Sequence, residues 1–325
     1  MLACGGPVQW ESDGGGPTRL LVPLDGSRLA EVVLPVAASL AAHLRAKLTL
    51  LTVMERGAPA TVHGERHITG AAEAEAYLRE VAKRCAAPGV AIESHVHPNQ
   101  EGDVAKSIID HAADLGADLI ILCTHGGGGA RRVLFGSVAQ QVLRGGTRPV
   151  LLIRPLEGQP PAVAAGWDLH RLLVPLDGSR PSEAALPVAR ALARAYGADV
   201  LLLRVVPTLA TITGDRASTA RLVPTATAVS LDLEEREARV VLETIASQLR
   251  AAGARASVLI RRGEPAQEVL AVALRVDAEL IVMATHGRAG LDAVFSGSVA
   301  SRVGAKFPRA LILVRAGRNG EPGAA

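Results

Sequence analysis

The chain has 325 residues, 49% of them hydrophobic and 21% charged, the balance of a globular protein long enough for two ordinary domains. A formal net charge of only +3, with two Trp, two Tyr and three Phe, supplies neither a Lys/Arg stripe for phosphates nor stacking platforms for bases, which excludes nucleic acid as the main partner. No apolar run reaches the roughly eighteen residues of a membrane span, so no membrane partner is expected. Three cysteines without metal-ligand spacing (Cys4, Cys85, Cys123) point to a reducing cytoplasm rather than a disulfide framework.

In chain order, residues 1–18 (MLACGGPVQWESDGGGPT) carry no basic region followed by an apolar core, and read as a flexible tail rather than a secretory signal. The first apolar run, RLLVPLD, is followed by SRLAEVVLPVAASLAAHLRA, which opens on a Ser able to cap a helix and keeps apolar residues three and four apart. The runs KLTLLTV, VAIESHV, DLIILCT and PVLLIR come next, with a further helical segment, DVAKSIIDHAADLGA, between them. Short runs rich in Val, Leu and Ile, apolar on both faces, suit buried strands of a parallel sheet. A Pro/Gly-rich stretch at 156–170 breaks both periods and reads as a linker.

The pattern then repeats. The ten residues RLLVPLDGSR at 19–28 recur unchanged at 171–180, followed by SRPSEAALPVARALARAYGA, DVLLLRVV, DLEEREARVVLETIASQLRAAGA, ARASVLI, PAQEVLAVALRVDA, ELIVMAT and ALILVR. The expected fold is α/β: two tandem domains, 19–155 and 171–316, each an open five-stranded parallel sheet in a Rossmann-like α/β/α arrangement, with a flexible tail at 317–325.

In such sheets ligands bind outside the carboxyl ends of the strands. Two loops there carry chemistry. One follows the first strand, at Asp25 or Asp177. The other follows the fourth: CTHGGGGARRVLFGSVAQQV at 123–142 and ATHGRAGLDAVFSGSVASRV at 284–303. Each has Thr-His-Gly, a nine-residue interval, and Gly-Ser-Val-Ala at an expected helix N-terminus, so Gly126 and Gly136 correspond to Gly287 and Gly297. Glycine lets the backbone approach a ligand closely, and free N–H groups at a helix start favour a phosphate, with the hydroxyl of Ser137 or Ser298 beside it. Neither a Walker loop nor a Gly-x-Gly-x-x-Gly turn is present.

These paired motifs resemble the universal stress protein family, as a tandem covering residues 19–315. The resemblance implies that Gly126, Gly136, Ser137 and Val138, and their counterparts Gly287, Gly297, Ser298 and Val299, hold the phosphates and ribose of ATP, with or without Mg²⁺. It places adenine against Pro23 and Asp25, or Pro175 and Asp177, with Val53 or Val205 after the second strand, and Arg288 beside the second loop. The family's first motif glycine is Cys123 in one repeat and Ala284 in the other. It further implies that the two fifth strands pair antiparallel within the chain as a pseudo-dimer, and the whole chain could form a homodimer.

Plainer readings accompany several residues. Asp25 and Asp177 could be N-terminal helix caps or helix-terminal charges, and His125 and His286 loop-bonding structural histidines, since no carboxylate sits at matching places in both loops. His63 and His67 in HGERH read as solvated loop rather than a metal pair. His95 and His97 alternate along a strand, towards solvent or a helix, and Arg131 and Arg132 read as solvated. Segments 55–72 and 207–230 are either lids or disordered stretches. Three functions follow: a cytoplasmic, non-enzymatic stress-response protein with ATP as regulatory ligand, a slow ATP hydrolase, or a nucleotide-free partner-binding scaffold.

Overall fold

The structure, a computed structural model, describes residues 16–57, 61–62, 65–66, 68–124, 136–155, 167–212, 217–218, 222–285 and 298–316. They fall into two compact units, one running to Asp168 and including Pro308–Arg315, the other spanning Leu169–Phe307 and including Ala316.

Unit 1 runs β1 (Arg19–Pro23), α1 (Arg28–Glu31), α2 (Leu34–Leu44), β2 (Lys47–Glu55), the short antiparallel pair β3 (Thr61–Val62) and β4 (Glu65–Arg66), α3 (Ala71–Cys85), β5 (Ile92–Glu101), α4 (Val104–Asp114), β6 (Leu119–Cys123), α5 (Ser137–Gly145) and β7 (Val150–Ile153). Its main sheet is ordered β5-β2-β1-β6-β7, all parallel. The chain builds outward from β1 to β5, then returns to the other side of β1 for β6. That reversal leaves a crevice at the carboxyl ends of β1 and β6, where open α/β sheets bind ligands. Burial explains the strand sequences: all five residues of β6 are buried, as are Leu20, Leu21 and Val22 of β1, so both sheet faces select aliphatic side chains.

Unit 2 repeats the plan with β8 (Arg171–Pro175), a 3₁₀ turn (Arg180–Ala184), α6 (Ala185–Tyr196), β9 (Asp199–Val206), α7 (Pro224–Ala251), β10 (Arg255–Arg262), α8 (Pro265–Arg275), β11 (Leu280–Thr285) and α9 (Val299–Lys306). Its strand order is β10-β9-β8-β11, again parallel. The fifth strand of the second repeat, β12 (Ala310–Arg315), is grouped with unit 1, where it runs antiparallel to β7 with Val150 opposite Leu313 and Leu152 opposite Leu311. The pairing expected of the two fifth strands is therefore present. Arg315 adds a hydrogen bond from Nη1 to the Gly146 carbonyl, 2.6 Å.

The first helix of each repeat differs from the single run its spacing suggests. Residues 27–46 divide into α1 and α2, and the matching segment into a 3₁₀ turn and α6. The cause is a proline near the start of each second segment, Pro35 at its second position and Pro187 at its third, which has no N–H to bond the carbonyl four residues back. Among the described parts of the two supposed lid segments, each tucks one isoleucine into its own unit: Ile68 packs with Met54 and Ala74, and Ile212 with Val206 and Leu231. Residues 224–230 are the first turns of α7.

Ile312 is fully buried in β12 opposite Leu151. Ile312→Ala is expected to destabilise the chain by about 2–5 kcal/mol, measured as a lower midpoint in urea unfolding at unchanged m-value.

Candidate functional site

The site begins at the turn after the first strand of each unit. Gly26 and Gly178 have φ of +88° and +78°, which glycine adopts without the steric cost other residues meet. Beside them the aspartates act locally. Asp25 Oδ1 accepts hydrogen bonds from the Ser27 N–H (2.9 Å) and Ser27 Oγ (2.7 Å), and Ser27 Oγ in turn accepts from the Ala30 N–H, 3.1 Å. Asp177 Oδ1 accepts likewise from Ser179 N and Oγ, while Ser179 Oγ accepts from the Ser182 N–H, 3.3 Å. The helix cap is thus the serine, and the aspartate holds that serine while facing the crevice.

In unit 2 these groups open onto a cavity of about 460 Å³. Its walls include Pro175 and Asp177 from the first turn, Val205 from β9, Ala284 from the end of β11, and Ser298 and Val299 at the start of α9. Ser298 is the N-cap of α9, its Oγ accepting from the Ser301 N–H at 3.2 Å. The cap leaves the serine O–H and the first backbone N–H groups of α9 for a ligand. In unit 1 Gly136 takes the N-cap position of α5 and makes no side-chain cap bond, so the N–H groups of Ser137 and Val138 head the helix without a serine cap. Pro23, Val53, Gly136 and Val138 are half-buried and Ser137 is exposed. Gly126, Gly287, Arg288 and Gly297, with His63, His67, His125, His286, Arg131 and Arg132, lie outside the described residues.

Cys123, in place of the first motif glycine, is 7% exposed at the end of β6. Burial and then the Asp25 charge push its thiol up to about 12, which places the Asp25 carboxylate and the Cys123 sulfur in one electrostatic neighbourhood. Burial, set against a nearby Arg84, leaves the Cys85 thiol at about 11.

Sequence reasoning missed parts of the wall. Pro265 and Val269 of α8 and Met283 of β11 line the unit 2 cavity. Glu264 caps α8 by accepting from Gln267 N–H (3.0 Å) and also takes a bidentate pair from Arg302 of α9 at 2.6 and 2.7 Å. Burial raises its carboxyl, but the Gln267 and Arg302 hydrogen bonds outweigh that and hold it below the ordinary range. The two turns also differ in what covers them. A Cβ on Gly26 would come within 2.6 Å of Ile68 Cδ1, whereas one on Gly178 would meet the Arg204 guanidinium at 3.2 Å. Arg204, paired with Glu234 at 3.2 Å, stands where the first repeat has Thr52. Aligning the repeats residue by residue is the signal that exposes this substitution.

A reversal of strand order beside a helix-headed crevice, occurring twice, defines tandem doubly wound α/β domains. The sequence profile described as the universal stress protein family matches residues 17–154 and again 169–315, and the chain belongs to that family. Among similar proteins, universal stress protein YxiE of Bacillus subtilis is 28% identical over 148 residues, 42% of this chain and 98% of that protein. One from Thermus aquaticus is 30% identical over 148 residues, 44% of this chain and 97% of that one. A universal stress protein of Mycolicibacterium smegmatis is 28% identical over 213 residues, 65% of this chain and 66% of that one. In fold, the crystal structure of a universal stress protein from Archaeoglobus fulgidus superimposes with a TM-score of 0.66 at 21% identity, covering 93% of this chain and 97% of that one. Among the described residues no helix is long and apolar enough to cross a membrane.

Two outcomes follow from these groups. With thiols at about 12 and 11, Cys123 and Cys85 stay protonated at pH 8, so iodoacetamide should leave both unlabelled in native protein and label both in guanidinium, read by peptide mass mapping. Because the folded Glu264 carboxyl lies below its ordinary value, its stabilisation is present at pH 7 and lost as pH falls below about 4.5. Glu264→Gln should therefore cost about 1–3 kcal/mol at pH 7 and progressively less on acidification, measured by urea unfolding across pH.

Proposed function

We propose that the protein binds an adenine nucleotide, ATP with Mg²⁺, as a regulatory ligand and not as a substrate, with unit 2 the stronger of two sites. The observation that carries this reading is the unit 2 cavity, where an apolar wall, one carboxylate and a helix N-terminus converge. Its volume of about 460 Å³ falls within the roughly 300–1,000 Å³ typical of small-molecule sites. The base lies against Pro175 and Val205, Asp177 accepts from its amino group or from the ribose, and the phosphates meet the start of α9 beside Ser298. Ala284 in place of glycine narrows the backbone approach by one methyl group.

A ligand role is favoured over hydrolysis because Asp177 is the one ionisable group among the described lining residues, and its Oδ1 already holds Ser179. Binding stabilises the native state by mass action, by about 2.7 kcal/mol at a hundred times Kd. The reading is of a cytoplasmic stress-response protein whose partners sense the liganded form. Unit 1, with the thiol of Cys123 at its crevice and a glycine cap on α5, is the weaker binder.

Native mass spectrometry of the protein as purified, and after adding ATP–Mg²⁺, should show one tightly held nucleotide and a second at higher concentration. Ala284→Leu, which fills the unit 2 cavity, should weaken the tight site by roughly ten- to a hundredfold and leave the weaker one. Absence of any nucleotide mass, with an unchanged melting temperature in millimolar ATP–Mg²⁺, would overturn the proposal.

A further inference from the structure

Three imidazoles meet in unit 1 away from the crevice. His95 and His97 sit two apart on β5 and so point to one face, and His111 on α4 lies opposite them. The ring centroid of His111 is 4.9 Å from each, tilted by 54° to His95 and by 84° to His97. His111 Nδ1 is 2.8 Å from the Ser107 carbonyl, which can only accept, so Nδ1 carries the proton and the neutral ring keeps its lone pair on Nε2. Among the described residues no group of three or more His, Cys, Asp or Glu is placed to hold a metal ion.

Of the charges around the cluster, Glu55 and Glu101 end β2 and β5 beyond His97. On β2 the residues opposite His95 and His97 are Leu51 and Val53. Glu93, on the same face of β5, is paired with Lys47. On α4, Asp110 is paired with Lys106, Asp103 caps the helix through the Lys106 N–H, and Asp114 is exposed one turn beyond His111. The charged residues of α3 lie behind the sheet, since α3 packs on the Val96 side of β5 through Ala74 and Tyr77. α5 approaches α4 at Ile109, whose Cδ1 would meet a Cβ on Gly145 at 2.8 Å. Burial first, and then the His111 and His97 charges, hold the His95 imidazole below its ordinary value.

The second repeat solves the same contact without titratable rings. Leu259 and Arg261 occupy the two β10 positions, with Arg261 tied to Glu268 at 3.0 Å, and fully buried Val272 of α8 stands where α4 has His111.

We propose that His95, His97 and His111 form an acid-released latch between β5 and α4 of unit 1, packed while the rings are neutral and pushed apart once two or more carry charge. The sign follows from linkage: the unfolded chain takes up protons from about pH 6.5, folded His95 resists its proton, and stability present above that pH is lost as pH falls below it. Because α4 packs against α5, the loosening spreads to the helix that begins at Ser137. The latch does not depend on nucleotide binding.

Amide hydrogen exchange of the full chain at pH 7.5 and pH 5.5, corrected for intrinsic exchange rates, tests this. Peptides covering 104–114 should lose about tenfold in protection at pH 5.5, the equivalent of one pH unit of displaced titration at a single histidine, while those covering 265–275 of α8 keep theirs. The double variant His95→Leu/His111→Val, which uses the residues of the second repeat, should remove the pH dependence. Equal acid loosening of α8, or no loosening of α4, would overturn the latch. Should the variant fail to fold, histidine Cε1–H titrations of the native protein decide: coupled titration below the ordinary range supports it, and three independent curves near pH 6.5 overturn it.

Discussion

The rest of each unit depends on a single turn, Asp-Gly-Ser at the carboxyl end of the first strand. Glycine at positive φ reverses the chain sharply enough to send it over the sheet edge, and the aspartate oxygen grips the next serine through both its backbone and its hydroxyl. That grip starts the first helix, closes one side of the crevice and aims a carboxylate into it. One set of hydrogen bonds therefore serves folding and the site together, which is why ten residues around it are identical in the two repeats.

Around that constant turn the two units have diverged in how they fill equivalent space. The first covers its glycine with the aliphatic Ile68 and secures α1 to α3 through a bidentate pair between nearly buried Glu31 and Arg84, at 2.8 and 2.9 Å. The second covers it with the Arg204 guanidinium, and leaves the matching Glu183 exposed. The pair is half-buried, with Arg84 exposed, and it fixes geometry chiefly because removing Arg84 would leave the buried Glu31 charge unpaired. Duplication has preserved the frame and the crevice while freeing the surroundings to specialise.

Much of this is legible in the sequence alone. Periodicity and duplication identify the strands, the tandem and the two loops, because strand burial and helix capping are local properties that residues announce themselves. Pairings over distance are not. Nothing in the sequence joins His111 to His95 and His97, Arg84 to Glu31, or Arg302 to Glu264, since each link exists only when two helices or a helix and a strand settle together. The division of the first helix could have been read from Pro35 and Pro187, whose missing N–H breaks a bond that apolar spacing ignores. The walls supplied by Pro265, Val269 and Met283 carry no pattern that sets them apart from core residues.

The placement of β12 has a consequence for folding. Among the described strands β12 (Ala310–Arg315) comes last in chain order, yet it completes unit 1, whose other strands lie well over a hundred residues earlier. Until it pairs, β7 keeps an open edge of unpaired backbone groups bearing four buried-type aliphatics, Val150 to Ile153. The sheet of unit 1 is therefore complete only once β12 is present, and contacts joining residues so far apart in sequence are those that slow folding.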